Sequence, residues 1–386
     1  MNQKRPLVIY IQYTDPAYYP PLQHSSRILA ARGFKALFLG TGAADRADPL
    51  SFPSHDSITI WRLRFVRNGM MQQLSFLTFT LWCAAICIWH RPKWIYASDH
   101  LSCPATLVSA MLSNARIIYH EHDTPMYSVH PSWAQRAIMA ARRKLANAAD
   151  ICVLPQTERL VSFVSELGRK GPVQCVWNCP ELEEVRAGAL RHAPRTSAFT
   201  FYFHGSLNRE RLPLTVIEAL ARISSSARLI IVGYETLGSR NYAAELIERA
   251  ATLGLGDRVH YAGPLPRGEM LTLASTADVG LAFMPTDSND VNMVKMTGAS
   301  NKPFDYLAVG QMLLVSNLPD WRAMFVDPGY ALSCDPYSVE DLTRTMSWCV
   351  DNPEQVRRMG REGRERILTE WNYECCFEPV AEQMTG

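Results

Sequence analysis

The 386-residue sequence has almost no net charge: 39 Lys and Arg stand against 37 Asp and Glu. A simple polybasic nucleic-acid binder is thereby excluded. The sequence has no Cys-x-x-Cys and no histidine pair at zinc-finger spacing, although it holds 10 cysteines. That excludes the common structural zinc motifs and makes free, mostly buried thiols in a reducing cytoplasm the expected state. No short repeat is present. No leader-like segment opens the chain, because Lys4-Arg5-Pro6 runs directly into the strand-like Leu7–Ile11. The uncharged run Leu74–Trp89 is 16 residues long, short of the ~20 needed to span a bilayer. It precedes a strand, so a buried helix of an α/β layer is expected, with shallow membrane contact as the alternative.

Apolar residues make up 47% and charged residues 20%, enough for two packed cores and too little charge for wholesale disorder. Charge is uneven. Residues 1–195 carry 22 Lys and Arg against 13 Asp and Glu, and the remainder 17 against 24. A basic half can attract lipid headgroups or a phosphorylated acceptor, or it can simply be a solvated surface.

Short β-type runs alternate with helical patterns. In the first half the strands are Leu7–Ile11, Ala36–Leu39, Ile58–Trp61, Trp94–Ala97, Arg116–Tyr119 and Ile151–Leu154. Helical stretches lie near His24–Arg32, Met70–Trp89, Pro104–Leu112, Ser132–Ala148 and Glu158–Leu167. Asn178–Ser197 is charged and interrupted by proline, and is read as a linker. The alternation restarts with strands at Phe199–Phe203, Leu229–Val232, Val259–Tyr261, Val279–Phe283 and Met312–Val315, and ends on helices Val339–Asn352 and Pro353–Leu368. The pattern predicts an α/β protein of two doubly wound, Rossmann-like domains facing a cleft. The domains are expected at about 1–180 and 196–370.

Three segments can carry chemistry. Phe203-His204-Gly205-Ser206-Leu207 follows the first strand of the second half. A glycine there lets backbone N–H groups approach an anion, a following helix start adds a favourable dipole, and Arg209 and Arg211 offer phosphate donors. Two solvent-facing arginines after an ordinary turn would look the same. Ser300–Gly310 (SNKPFDYLAVG) reads as a helix capped by Asn301. Lys302 falls in its first turn, a poor place for a cation unless an anion binds there. Asp305 lies one turn on, placed either to accept from ribose hydroxyls or to form an exposed pair with Lys302. Finally, His120-Glu121-His122-Asp123 ends a strand. Its two histidines share one side of an extended chain and read equally as a metal pair or as hydrogen-bonded structural residues.

Taken in order, these segments resemble the retaining glycosyltransferases of the GT-B fold, specifically the family-four group, also called glycosyl transferases group 1. The resemblance rests on His204-Gly205-Ser206-Leu207 with Arg211 and the helix Leu214–Ala221, Val232-Gly233, Val259–Leu265, Ala277–Leu281, Asn301–Gly310 and Glu370-Trp371-Asn372-Tyr373. It implies a nucleoside diphosphate sugar donor, UDP- or GDP-linked, with no metal. Gly205, Ser206, Arg209 and Arg211 would lie at the diphosphate, with Lys302 supporting it. Asp305 would bind the ribose, with Asn301 beside it at the start of the same helix, and Leu265 would lie near the base. His122, or else His120, would face the donor sugar. It also implies a C-terminal helix, about 371–386, that crosses back to the first domain. Two departures stand out. Thr297 occupies the place of the family's first acid, so Gly298 is expected to supply backbone N–H groups there. Tyr19-Pro20-Pro21 replaces a Gly-Gly loop. The implied activity is sugar transfer with retention to a saccharide or lipid-linked acceptor, in surface polysaccharide or glycolipid synthesis. The basic first half and the apolar Met70–Trp89 helix point to a lipid-linked or surface-polysaccharide acceptor and to peripheral contact of a cytoplasmic protein at the inner face of the plasma membrane. A sugar-nucleotide epimerase or hydrolase, or a non-catalytic partner subunit, would share the scaffold.

Overall fold

The computed structural model describes every residue except 1–4, 43–53, 67–68, 127–129, 191–197, 224–225, 237, 289 and 295. The chain divides into two units. One comprises Met1–Asn178 with Tyr373–Gly386, and the other Cys179–Asn372.

The first unit is built on β1 (Leu7–Ile11), β2 (Lys35–Thr41), β3 (Ile58–Leu63), β4 (Trp94–Ser98), β5 (Arg116–His120), β6 (Ile151–Leu154) and β7 (Val173–Cys175). Its helices are α1 (Pro20–Ala31), α2 (Met70–His90), α3 (Cys103–Ser113), α4 (Trp133–Ala148) and α5 (Thr157–Leu167). All strands pair in parallel, in the order β3-β2-β1-β4-β5-β6-β7. The inner strands β1, β2, β4, β5 and β6 are buried on both faces, which is why they read as continuous apolar runs. One face packs Ile9, Ile11, Leu37 and Ile95 against Phe79, Cys83 and Cys87 of α2. The other packs Val8, Tyr10, Phe38 and Tyr96 against α1 and the last helix of the chain. Pro20 and Pro21 open α1, where the fixed φ of proline suits a helix start and its missing N–H costs nothing.

The second unit holds α6 (Leu182–Leu190), β8 (Thr200–Leu207), α7 (Thr215–Arg222), β9 (Arg228–Glu235), α8 (Tyr242–Thr252) and β10 (Val259–Gly263). It continues with α9 (Arg267–Ala274), β11 (Val279–Ala282), α10 (Val291–Val294), α11 (Asn301–Ala308) and β12 (Met312–Ser316). It closes with α12 (Pro319–Trp321), β13 (Ala331–Cys334), α13 (Val339–Asp351) and α14 (Pro353–Thr369). The sheet is again wholly parallel, in the order β10-β9-β8-β11-β12-β13. The final helix, α15 (Tyr373–Thr385), joins the first unit and buries Tyr373, Phe377, Val380 and Met384 there. Each such side chain is worth about 1.5–3 kcal/mol on burial.

Four expectations change. The segment read as a linker carries α6, which begins the second unit; its residues 191–197 lie outside the described part. The short strands β7 and β13 were not evident in the sequence, because three or four residues carry little pattern. Gly205 lies within β8 rather than in a turn after it, and α7 starts only at Thr215. Lastly, α2 is not a buried helix. It has 21 residues, long and apolar enough to cross a membrane by length and composition. It packs inward through Phe79, Thr80, Cys83, Ala84 and Cys87, yet exposes Met70, Leu74, Leu77, Leu81, Ile88 and Trp89 outward.

Candidate active site

In each sheet the strand order reverses beside the first strand, between β1 and β4 and between β8 and β11. In parallel sheets such a switch point opens a crevice at the strands' carboxyl ends. The sequence-predicted residues of the second unit gather there. Gly205, on β8, has φ +122°, and a Cβ on it would lie 2.8 Å from Cε of Lys302. Its neighbour across the ladder is Gly233 of β9, where a Cβ would lie 1.9 Å from the Gly205 carbonyl oxygen. Two glycines side by side therefore let β8 and β9 close up while Lys302 crosses over Gly205.

Lys302 is 5% exposed, and its Nζ stands 5.3 Å from the centre of the Phe203 ring. No carboxylate pairs with it among the described residues. Burial, reinforced by the Arg211 guanidinium, pushes its ammonium well below the usual lysine range. Arg211 is held by Asn208, whose Oδ1 accepts from its backbone N–H at 2.9 Å, and by a 3.3 Å bond from Nη1 to Ser206 Oγ. Two cations thus converge on one glycine strand, in the manner of an anion site.

Asp305 does not pair with Lys302. It is buried and binds Arg267 through both oxygens, at 2.8 and 3.1 Å, while His204 Nε2 lies 3.3 Å from Oδ2. Burial alone would raise its carboxyl, but Arg267 and His204 outweigh burial and hold it below the ordinary carboxylate range. Burial likewise lowers His204, against the pull of Asp305, so the ring is neutral at pH 7 and donates from Nε2. Arg267 also binds Glu184 of α6 at 2.7 and 2.9 Å. A carboxylate has about four lone-pair sites, and three of those on Asp305 are occupied. One ribose hydroxyl can therefore bond to it, not a pair.

The remaining predicted residues are dispersed. Arg209 turns to Glu245 at 2.6 Å and to the Tyr242 ring at 5.2 Å, and does not join Arg211. Ser300, not Asn301, is the N-cap of α11, with Asn301 its first residue. Gly298, with φ +83°, is buried in the turn before that helix. The Thr297 hydroxyl beside it is buried with no hydrogen-bond partner among the described residues. Leu265 is half-buried between β10 and Arg267. Tyr306 lies beneath the site: its hydroxyl accepts from His204 N at 2.9 Å, and its ring fills the space a Cβ on Gly280 would need.

At the carboxyl ends of β4 and β5 in the first unit, the two histidine rings lie against each other, centres 3.9 Å apart, each with its own hydrogen-bond partner. His120 Nδ1 meets Tyr96 Oη at 2.7 Å and His122 Nε2 meets Ser98 Oγ at 3.0 Å. Burial lowers both, His122 to about 4, so both rings are neutral at pH 7. Asp99 Oδ1 accepts from the backbone N–H of His122 at 3.0 Å, and Arg159 Nη1 donates to the His122 carbonyl at 2.7 Å. Asp99 has φ +61°, and burial together with Asp123 pushes its carboxyl up to about 7. Glu121 binds Arg142 at 2.6 and 2.8 Å and faces the core. No three His, Cys, Asp or Glu side chains are grouped to hold a metal among the described residues.

Sequence reasoning missed Arg267, Glu184 and Asp99. The first two lie 38 and 121 residues from Asp305, a separation no local pattern bridges. The positive φ of Asp99 leaves no trace in residue type.

Comparison with known proteins gives a consistent result. Residues 191–366 match the family model of glycosyl transferases group 1, and residues 22–179 match that of the glycosyl transferase 4-like domain. No curated protein matches the chain in sequence. Among solved structures, sucrose-phosphate synthase from Thermosynechococcus elongatus is similar with a TM-score of 0.71 at 16% identity, covering 99% of this chain and 98% of its own. Anabaena HepE in complex with UDP and glucose gives 0.71 at 14%, covering 98% and 99%. The E. coli trehalose-6-phosphate protein bound with UDP-2-fluoro glucose gives 0.67 at 12%, covering 98% and 99%. With both halves matched and two parallel Rossmann-like sheets of this winding, the chain belongs to the group 1 glycosyltransferases of GT-B fold.

Proposed function

We propose that the protein transfers a sugar, with retention of anomeric configuration, from a UDP- or GDP-linked donor to a saccharide or lipid-linked acceptor. Surface polysaccharide or glycolipid synthesis at the cytoplasmic face of the plasma membrane is the setting. The observation that carries this reading is the buried Lys302 ammonium, unpaired with any described carboxylate, lying across Gly205 and beside Arg211. A buried cation without a counter-charge is costly, and a diphosphate would supply the counter-charge. The UDP in the HepE complex and the UDP-sugar in the E. coli structure support a uridine donor over a guanosine one.

In this reading the second unit binds the donor. Lys302 and Arg211 stabilise charge on the departing diphosphate, the role a metal would otherwise take. Ser206 holds Arg211, and Gly205 leaves room for Lys302 to reach the phosphates. Asp305, fixed by Arg267, accepts one ribose hydroxyl, and Leu265 lies at the base. A donor-sugar hydroxyl completes the Thr297 Oγ1, with Gly298 and the N–H of Asn301 beside it. The bond from anomeric carbon to phosphate oxygen breaks as the acceptor oxygen bonds to that carbon. The acceptor proton passes to the departing phosphate oxygen. His122, neutral and held by Ser98 and Asp99, is the first unit's contribution, and His120 buttresses it.

Calorimetry with UDP and GDP, followed by product analysis with donor alone and with acceptor extracts, tests this. Binding of neither nucleotide favours a non-catalytic partner, and rapid consumption of donor alone favours a hydrolase or epimerase. Turnover unchanged by EDTA is expected.

A further inference from the structure

The sheet of the first unit has a second feature at its other end. A cavity of about 750 Å³ opens where β1, β2 and β4 begin. Arg5, Lys35, Arg91 and Lys93 line it, with Trp61 and Trp89. None of the four cations forms an ion pair with a described residue; Arg5 Nη1 donates only to Ser57 Oγ at 3.2 Å. One carboxylate, Asp56, is among the lining residues, so positive charge exceeds negative four to one before His90 is counted. His90 packs edge-on to Trp61, with ring centres 5.8 Å apart. Arg91 takes the left-handed conformation, φ +46°, and ends α2 at the rim. The reacting groups proposed above lie at the carboxyl ends of the strands, so this cavity is separate from them.

The cavity is continuous with the outer face of α2. Trp89 both lines it and is 83% exposed. Ile88 adjoins Trp89, and running back along the helix Leu81, Leu77, Leu74 and Met70 follow at spacings of three, four or seven residues, all exposed. No charged residue interrupts Met70–Trp89. Soluble surface helices ordinarily turn charged side chains outward; α2 turns out apolar ones. The adjoining α3 adds Met111, 81% exposed. An uncharged apolar ridge ending in tryptophan and a cluster of unpaired cations is the layout of a surface that lies in the interface of an anionic bilayer.

We propose that this surface docks on an anionic phospholipid bilayer, with the α2 ridge among the acyl chains and the basic cavity holding a headgroup phosphate. The inference extends the membrane setting proposed above and does not depend on the donor chemistry. Guanidinium and ammonium groups match phosphate oxygens, and tryptophan favours the headgroup level. Each Lys or Arg near an anionic leaflet contributes about fivefold in binding.

The test is co-sedimentation of the full chain with vesicles of phosphatidylcholine alone or mixed with phosphatidylglycerol. Binding to the mixed vesicles alone is expected. The double variant Arg91→Glu/Lys93→Glu should bind them about 25-fold more weakly or worse, and Arg91→Lys should bind as before. Leu77→Ser/Leu81→Ser should weaken binding with the cavity intact. Both double variants change exposed residues and should melt as the parent does. Equal binding to the two vesicle types, or to neither, overturns the proposal. So does calorimetric binding of soluble glycerol phosphate as tight as vesicle binding, which would make the cavity a metabolite site. UDP titrated into the same preparations separates the two readings. Nucleotide binding without vesicle binding removes the docking surface alone; the reverse removes the transferase reading alone.

Discussion

The carboxyl edges of the two sheets share a winding but differ in charge. In the second unit the buried carboxylate Asp305 is held by Arg267 and His204 with one lone-pair site left, and the cation with no described carboxylate is Lys302, beside Arg211. In the first unit the buried histidines are neutral, and the uncompensated group is a carboxylate, Asp99, held near neutrality by burial. One edge gathers cations, and the other gathers neutral imidazole rings beside a carboxyl. A single architecture thus carries two different charge environments, decided by a few side chains at the switch points.

The sharpest way to break this contrast is at Arg267. Arg267→Ala leaves the Asp305 and Glu184 carboxylates without their shared guanidinium. About 3 kcal/mol of stability should be lost from the second unit, read by urea denaturation. Lys302→Ala should leave folding intact or improved, because it removes a buried, unpaired ammonium. Turnover should fall about 100-fold, measured as kcat/KM for the donor. A loss of stability with turnover unchanged would make Lys302 a packing residue.

Asp99 sharpens the comparison through pH. Its carboxyl titrates near 7 in the folded chain and near 3.9 unfolded. Between those values the folded state holds the extra proton, so its contribution to stability falls as pH rises from about 4 to about 7. Asp305 has the opposite sign: its folded value is depressed, so its contribution is lost only as pH falls below the unfolded value of about 3.9. Asp99→Asn should flatten the slope between pH 4 and 7 in urea melts, and Asp305→Asn should not. The smallest effect is expected at Arg209, which is exposed and paired with Glu245. Arg209→Ala should change stability by at most about 0.5 kcal/mol and turnover by less than about twofold.

Much of this was legible in the residues. The twofold alternation of apolar runs and helical patterns predicted both sheets, because strands buried on two faces must be apolar throughout. Lys302 stood out because a cation in a first helical turn needs an anion. The errors have physical causes. Arg209 and Arg211 are alike in sequence, and only the position of Glu245 on α8 separates them. Gly205 resembles a turn glycine, whereas it serves a close approach of two strands and a lysine. An uncharged helix reads as buried, and α2 is half outside.

The layering, the family and the position of the helix at Asn301–Ala308 were all present in the residues alone, since periodicity and local motifs act over a few residues. Only the tertiary structure decided which charges are paired. Arg267 finds Asp305 and Glu184 across long stretches of chain, and Lys302 finds no described carboxylate. Whether a buried charge is neutralised or left to seek a ligand depends on distances between elements, and those are set by packing.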